Sequence, residues 1–235
     1  MAKIVVPILV GALLSGCTIL RPNRWPKGSG KIVLTFDDGP TRGEGTARLL
    51  DVLAKHRVKA TFCLIGRNVT SNSPTVRRLV EEGHVVGNHT YSHRIEIFSS
   101  RSMDGEITRD DEAIGAATGK ADFRTRLFRP PCGLITPAVA WSREAKSREQ
   151  AYLTFYANDA GVDAAGAPKL MARVKKRLLK DGGGAVVFHE MRYVAGSTSE
   201  GPTKEWLPAA IDDLIVWAKK NGLKFGTYPN DERKA

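Results

Sequence analysis

Two histidines four residues apart, His89 and His93 in "NHTYSH", could aim both imidazoles at one point. Neutral imidazoles at this spacing suit Zn²⁺ and related divalent ions when a carboxylate converges from elsewhere in the chain. A carboxylate source stands upstream. The stretch "KIVLTFDDGPT" (31–41) ends an apolar, β-branched run in two adjacent acids, Asp37 and Asp38. Like charges side by side repel, and a solvated turn needs only one Asp; a dication beside the pair removes the conflict. One of the two acids could complete a two-histidine, one-carboxylate site while the other acts as a general base toward water. Two more polar residues close apolar runs in the same way, Arg129 in "RLFRPP" and His189 in "GAVVFH".

These residues need elements that bring them to one place, and the patterning supplies them. From residue 31 onward, apolar runs alternate with segments of helical period. "KIVLTF" reads as a strand and "EGTARLLDVLAKH" as an amphipathic helix with Leu49, Leu50 and Leu53 on one side. "KATFCLIG" and "HVVGNH" read as the next strands, separated by the helix "SPTVRRLVEEG", which has Pro74 near its start and Gly83 at its end. A helix over 103–118, the strand "RLFRPP" stopped by Pro130, and a helix over 137–149 follow. The strand "AYLTFYA", the helix "PKLMARVKKRLL", the strand "GAVVFH", the helix "EWLPAAIDDLIVWAKKN" and the strand "LKFGTY" complete the chain. Strict alternation predicts parallel βαβ units, and about seven of them suggest an α/β barrel more than a doubly wound sheet. In either fold chemistry gathers where strands end, which puts Asp37, Asp38, His89, Arg129 and His189 on one face.

With these stretches in hand, the chain resembles the polysaccharide deacetylases of the NodB-homology type, carbohydrate esterase family 4, across residues 31–228. "TFDDGP" and "HTYSH" match that family's first two motifs, "RPPCG" the Arg-Pro-Pro core of the third, and "VFH" the fifth, with Val187 in place of Leu. The resemblance implies a distorted (β/α)7 barrel that removes acetyl groups from an N-acetylated glycan with one divalent metal, Zn first and Co, Ni or Mn as alternatives. It also implies a role for each matching position. Asp37 would be the catalytic base, held by Arg129, and Asp38, His89 and His93 the metal ligands. The backbone N–H of Cys132 would help hold the oxyanion, with Pro130, Pro131 and Val187 lining the substrate pocket. His189 would be the general acid. Three departures stand out: Cys132 where the family has an aromatic residue, Val187 for Leu, and a fourth motif reduced to "NDAGVDAAG" without its Trp. Within that stretch Asp159 or Asp163 would orient His189, and Asp159 is preferred because it directly follows a strand.

The N-terminus carries a separate message. Lys3, the apolar "IVVPILVGALL" and "LSGC" resemble the signal and lipobox of bacterial lipoproteins. Residues 1–16 are then a signal peptide, Cys17 a lipidated N-terminus, residues 17–30 a tether, and residues 31–230 the catalytic domain. This implies a protein anchored by lipid in a bacterial cell envelope. The formal charge of +11, from 36 basic and 25 acidic residues, fits simple solubility and an anionic partner equally well; with an export signal, such a partner is a wall polymer or anionic lipid before nucleic acid. The cysteines remaining in the domain, Cys63 and Cys132, are too few for a disulfide framework and are expected as thiols. The other polar residues have plain readings: His56 at a helix end, His84 structural, Glu190 facing solvent, and "DGGG" (181–184) a turn. There is no Gly-x-Ser-x-Gly elbow, which argues against a serine esterase. Two rival readings share these residues: an O-acetyl xylan esterase, and a glycan-binding lipoprotein that has lost catalysis. Fe(II) oxygenase chemistry, a more distant reading, leaves Asp37 and His189 without a role. The oligomeric state is not readable from the sequence.

Overall fold

The computed structural model describes residues 28–228 apart from 96, 98, 152 and 192–200, together with the two-residue strand Thr18–Ile19. Cys17 and the segment before it lie outside the described residues. In chain order the main elements begin with β1 (Lys31–Asp37), α1 (Gly45–His56), β2 (Thr61–Leu64), α2 (Gly66–Ser71), α3 (Ser73–Glu81), β3 (Val85–Asn88) and α4 (Ser100–Thr118). They continue with β4 (Leu127–Phe128), α5 (Pro137–Trp141), α6 (Arg143–Lys146), β5 (Glu149–Gln150), β6 (Phe155–Tyr156), α7 (Ala167–Asp181), β7 (Gly184–His189), α8 (Leu207–Lys220) and β8 (Lys224–Gly226). Among the described residues, no helix is long and apolar enough to cross a membrane.

The strands form one sheet in the order β5-β4-β3-β2-β1-β7-β6, with β8 also on β1, and all of its pairings are parallel. The two strands at its ends, β5 and β6, are neighbours in the chain. Only residues 151–154 separate them, so the sheet curls until one interrupted strand spans from β4 to β7. Ala151 N–H donates to Phe128 O on one side at 2.8 Å, and Thr154 N–H to Ala185 O on the other at 2.7 Å. This is the distorted (β/α)7 barrel that the alternation and the resemblance predict. The single strand expected over "AYLTFYA" is split because its two halves pair with different neighbours.

Alternation along β1 sets the layers. Ile32, Leu34 and Phe36 point outward into the main core beneath the helices, where Phe36 lies 5.0 Å from Phe62 and 6.2 Å from Phe188, centroid to centroid. Val33, Thr35 and Asp37 therefore point into the barrel. Val33 packs there with Ala185 and Tyr228, and Cys63, Leu127 and Ala151 form a second small cluster that also meets Tyr228. Burial on both faces is why these strands read as near-continuous apolar runs. The "DGGG" stretch is a turn, as expected. A side chain at Gly183, where φ is +112°, would bring Cβ to 2.3 Å of Lys31 O, so glycine is required where β7 enters beside β1.

Two helices differ from expectation. The helix predicted over 137–149 is two short ones, because Ser142 ends α5 and caps α6: its Oγ accepts from Ala145 N at 2.9 Å and donates to Asp104 Oδ1 at 2.6 Å. The short helix α2 is an addition, in a stretch with no apolar stripe to signal it. Thr18–Ile19 pairs antiparallel with Leu134–Ile135, beside the loop after β4.

Candidate active site

Asp37 ends β1 and Asp38 begins the loop beyond it, with φ at +74°. That left-handed turn breaks the strand's alternation, so both adjacent acids reach His89 Nε2, Asp38 Oδ1 at 3.6 Å and Asp37 Oδ2 at 4.0 Å. Among the described residues six non-glycine positions have positive φ, and Asp38, Thr90, His93, Cys132 and Asn158 are five of them, all in loops after strands of the barrel. Backbone held in this region is costly and tends to gather where function demands a particular aim. The Asp38 loop is pinned from two sides: Asn68 Nδ2 donates to Asp38 O at 2.9 Å, and Ile65 N–H to Gly39 O at 2.9 Å.

Asp38, His89 and His93 converge. Asp38 Oδ1 lies 3.6 Å from His89 Nε2 and 3.5 Å from His93 Nε2, and one ligand atom from each residue lies within 4.8 Å of the others. His89 Nδ1–H donates to Arg129 O at 2.7 Å, which fixes the tautomer and leaves Nε2 with its lone pair toward Asp38. Its backbone N–H is held by Asp110 Oδ2 at 3.0 Å, and that of His93 by Thr90 Oγ1 at 3.0 Å. Burial, reinforced by His89, lowers His93 to about 4 and keeps its imidazole neutral. Burial alone would raise the Asp38 carboxyl, but His89, His93 and His189 outweigh it and hold it well below the usual carboxylate range. Asp38 Oδ1 is buried without a hydrogen-bond partner. Two neutral nitrogens and one orphaned carboxylate oxygen, too far apart to bond one another, fit a small divalent cation between them.

Asp37 is the companion acid. Its Oδ2 stands 4.0 Å from His89 Nε2 and its Oδ1 pairs with Arg129 Nη1. Arg129 is buried and held further at two nitrogens: Nε donates to Ala151 O at 3.0 Å, and Nη1 also to Thr35 Oγ1 at 3.1 Å, while Nη2 is buried without a partner. Burial disfavours the guanidinium charge, yet Asp37 outweighs it and raises Arg129 above its ordinary range. A buried pair of this kind resists removal of either partner, at a cost of roughly 3–5 kcal/mol.

On the neighbouring strand His189 ends β7, in register with Asp37. Its Nδ1 meets Asp159 Oδ1 at 2.7 Å, and its backbone N–H donates to Asp159 Oδ2 at 2.8 Å. Burial would lower His189, but Asp159 outweighs it and raises the imidazole to about 9. Asp159 is itself held below its ordinary range, because His189 and Lys204 outweigh its burial. Asp163 is elsewhere: its Oδ1 accepts from Gly166 N at 2.9 Å at the start of α7. Cys132 lies in the tight turn Pro131–Gly133 after β4, with φ at +54°. No disulfide joins it to Cys63; Cys63 is buried and Cys132 exposed. Val187 is buried on β7 one layer below His189, and Pro130 precedes the turn.

One expectation is overturned. Glu190 does not face solvent: it is 2% exposed, accepts from Thr46 Oγ1, and its backbone N–H donates to Asp37 O at 3.0 Å. Burial raises its carboxyl to about 8. A Cβ on Gly39 would fall 2.0 Å from Glu190 Oε1, so this glycine makes room for the glutamate under the Asp38 loop. The signal was available, since a barrel strand flanked by helices is buried on both faces, and the residue beside an inward His faces core. Lys204 and Asp110 carried no local signal: each meets its partner only through the fold. His84 and His56 follow expectation. His84 is buried with Nδ1 accepting from Ala60 N–H at 3.1 Å, and His56 ends α1 against Asp212.

Residues 25–152, more than half of the chain, match the polysaccharide deacetylase family, and the chain belongs to that family. It is 33% identical over 195 residues to the peptidoglycan-N-acetylmuramic acid deacetylase PdaA of Bacillus subtilis, covering 83% of this chain and 68% of PdaA. A peptidoglycan-N-acetylglucosamine deacetylase of Bacillus cereus is 37% identical over 121 residues, 51% of this chain; the match spans less than half of that relative, 42%. Among solved structures, the Bc1960 peptidoglycan N-acetylglucosamine deacetylase aligns with a TM-score of 0.69 at 30% identity, covering 87% of this chain and 88% of that one.

Proposed function

We propose that this protein is a metal-dependent hydrolase that removes N-acetyl groups from an N-acetylglucosamine-containing polysaccharide such as peptidoglycan. One observation carries the reading: a His–His–carboxylate cluster with an orphaned Asp38 oxygen stands beside a buried acid, Asp37, whose strand neighbour in register is the His189 imidazole, raised by Asp159. Asp38, His89 and His93 hold a divalent ion, Zn by preference for this donor set. When bound, such an ion supplies Lewis-acid chemistry, polarising an acyl carbonyl and acidifying water. Asp37 takes the proton of the attacking water, and Arg129, paired with its Oδ1, keeps it aimed. The Cys132 N–H, in the turn after β4, donates to the oxyanion; because a backbone group serves there, the missing aromatic side chain is tolerated. Val187, Pro130 and Pro131 line the acyl pocket. His189, kept cationic by Asp159, protonates the departing amine at Nε2.

The test is acetate release by the metal-loaded protein from chitooligosaccharides, peptidoglycan and acetylated xylan. Release from the amide substrates is the expected result. Release from xylan alone makes the protein an O-acetyl esterase, and glycan binding with no release at full metal occupancy makes it a binding protein. The lipobox reading is part of the same proposal, in which residues 31–230 act at the bacterial cell envelope from an anchor at Cys17. Cys17→Ala is expected to abolish lipid labelling and shift the protein out of the membrane fraction; unchanged, processed membrane association would sink it.

A further inference from the structure

Asp159 faces two cations. Beyond its contacts with His189, its Oδ2 accepts from Lys204 Nζ at 2.9 Å. The Lys204 side chain is 1% exposed and the Asp159 side chain 0%, so this is an ion pair inside the protein. Lys204 reaches there from the segment between the Met191–Thr203 bridge and α8, where its backbone N–H donates to Glu190 O at 3.0 Å. That bond ties Lys204 to the residue that follows His189. A lysine ammonium is costly to bury and is rarely found so without a partner.

We propose that Lys204 is a positioning residue for the general acid, acting through Asp159. The inference rests on the deacetylase reading of this site. The charge accounting gives its role. When the C–N bond breaks, its electron pair and the Nε2 proton of His189 go to the amine nitrogen, and His189 is left neutral. Asp159 would then be a lone buried carboxylate, the form that burial disfavours most. Such a carboxylate either draws the proton back or takes one itself and turns away. Lys204 keeps the pair Asp159–Lys204 neutral in that half of the cycle, so Asp159 stays ionised and the imidazole keeps its aim. In the other half the cluster carries one net positive charge, which favours proton donation toward the amine.

An amine leaves poorly without a proton, whereas p-nitrophenolate leaves well unaided. Lys204→Met is therefore expected to lower kcat for an N-acetylated chitooligosaccharide by about 10–100-fold, within the range of general acid catalysis, with KM little changed. Hydrolysis of p-nitrophenyl acetate by the same preparation is expected to change less than about threefold, on the same ground. Lys204→Arg is expected to restore most of the amide activity. A purely structural role would depress both substrates together. Equal losses on amide and ester, or no loss on the amide, would overturn the proposal. If Lys204→Met does not fold, the comparison moves to Lys204→Arg and Lys204→Gln, and the same ratio of amide to ester loss decides. In an Asp159→Asn background, Lys204→Met is expected to add no further amide loss; an additive loss would equally overturn it. Wild-type acetate release is the separate control: its absence would count against the deacetylase reading, whereas a wild-type enzyme indifferent to Lys204 counts only against this residue.

Discussion

The two sides of the barrel mouth are built on opposite principles. On the β1–β3 side, Asp38 Oδ1 faces His89 Nε2 at 3.6 Å and His93 Nε2 at 3.5 Å and has no hydrogen-bond partner. On the β6–β7 side both oxygens of Asp159 are occupied, by His189 Nδ1, the His189 backbone N–H and Lys204 Nζ. The first side leaves a buried acceptor unmet, which the proposed divalent ion would satisfy. The second has its buried carboxylate met on both oxygens and, in the proposed mechanism, would need only a proton to cycle. An incomplete site must supply its donors at fixed spacing from rigid strand ends, while a closed one can draw its members from any segment the fold brings near.

The sharpest way to break this contrast is to remove the open side. Replacing both His89 and His93 by Ala is expected to abolish stoichiometric metal binding and acetate release while circular dichroism stays native. Retention of one divalent ion per chain at wild-type affinity would place the metal elsewhere.

The closed side should respond through pH. As the proposed general acid His189 acts in its protonated form, so activity is expected to fall as pH rises through its pKa, which Asp159 raises to about 9 against the opposing effect of burial. Asp159→Asn removes the main raising influence and is expected to move the alkaline limb of the pH–rate profile to lower pH, with metal content unchanged. Asp163→Asn, which touches only the start of α7, should leave the limb in place. A shift from Asp163 and none from Asp159 would reverse the assignment. The smallest effect concerns the floor that joins the two sides. Glu190→Ala removes the carboxylate that accepts from Thr46 Oγ1, leaving that hydroxyl only its contacts with Thr41, and is expected to lower unfolding free energy by about 1–3 kcal/mol. Glu190→Gln, which keeps an acceptor for the Thr46 hydroxyl, should cost under about 1 kcal/mol in the same denaturant titration. Equal costs would show that this hydrogen bond contributes nothing.

The contrast also explains what the sequence could reveal. Asp37, Asp38, His89 and His93 lie in two short stretches at strand ends, where residue type and spacing are enough to suggest a metal site. The barrel follows from strands and helices that alternate in period. The break at Ser142 was not legible, because a serine within a helical pattern reads as helix until Asp104 is known to lie beside it. Lys204 and Asp159 stand 45 residues apart and meet only because β7 and the segment before α8 are tied through Glu190. The split of "AYLTFYA" into two strands likewise depends on closure of the barrel, a property of the whole sheet.

The measurement that bears most directly on the site is metal content and acetate release taken together on Asp37→Asn and Asp38→Asn. Asp37→Asn should keep a full complement of metal and lose turnover by roughly 10²–10⁴-fold, the scale of a lost general base. Asp38→Asn should lose metal first and activity with it. If Asp37→Asn sheds the ion while Asp38→Asn retains it and merely stops turning over, the two acids have exchanged roles and the site described here is wrong.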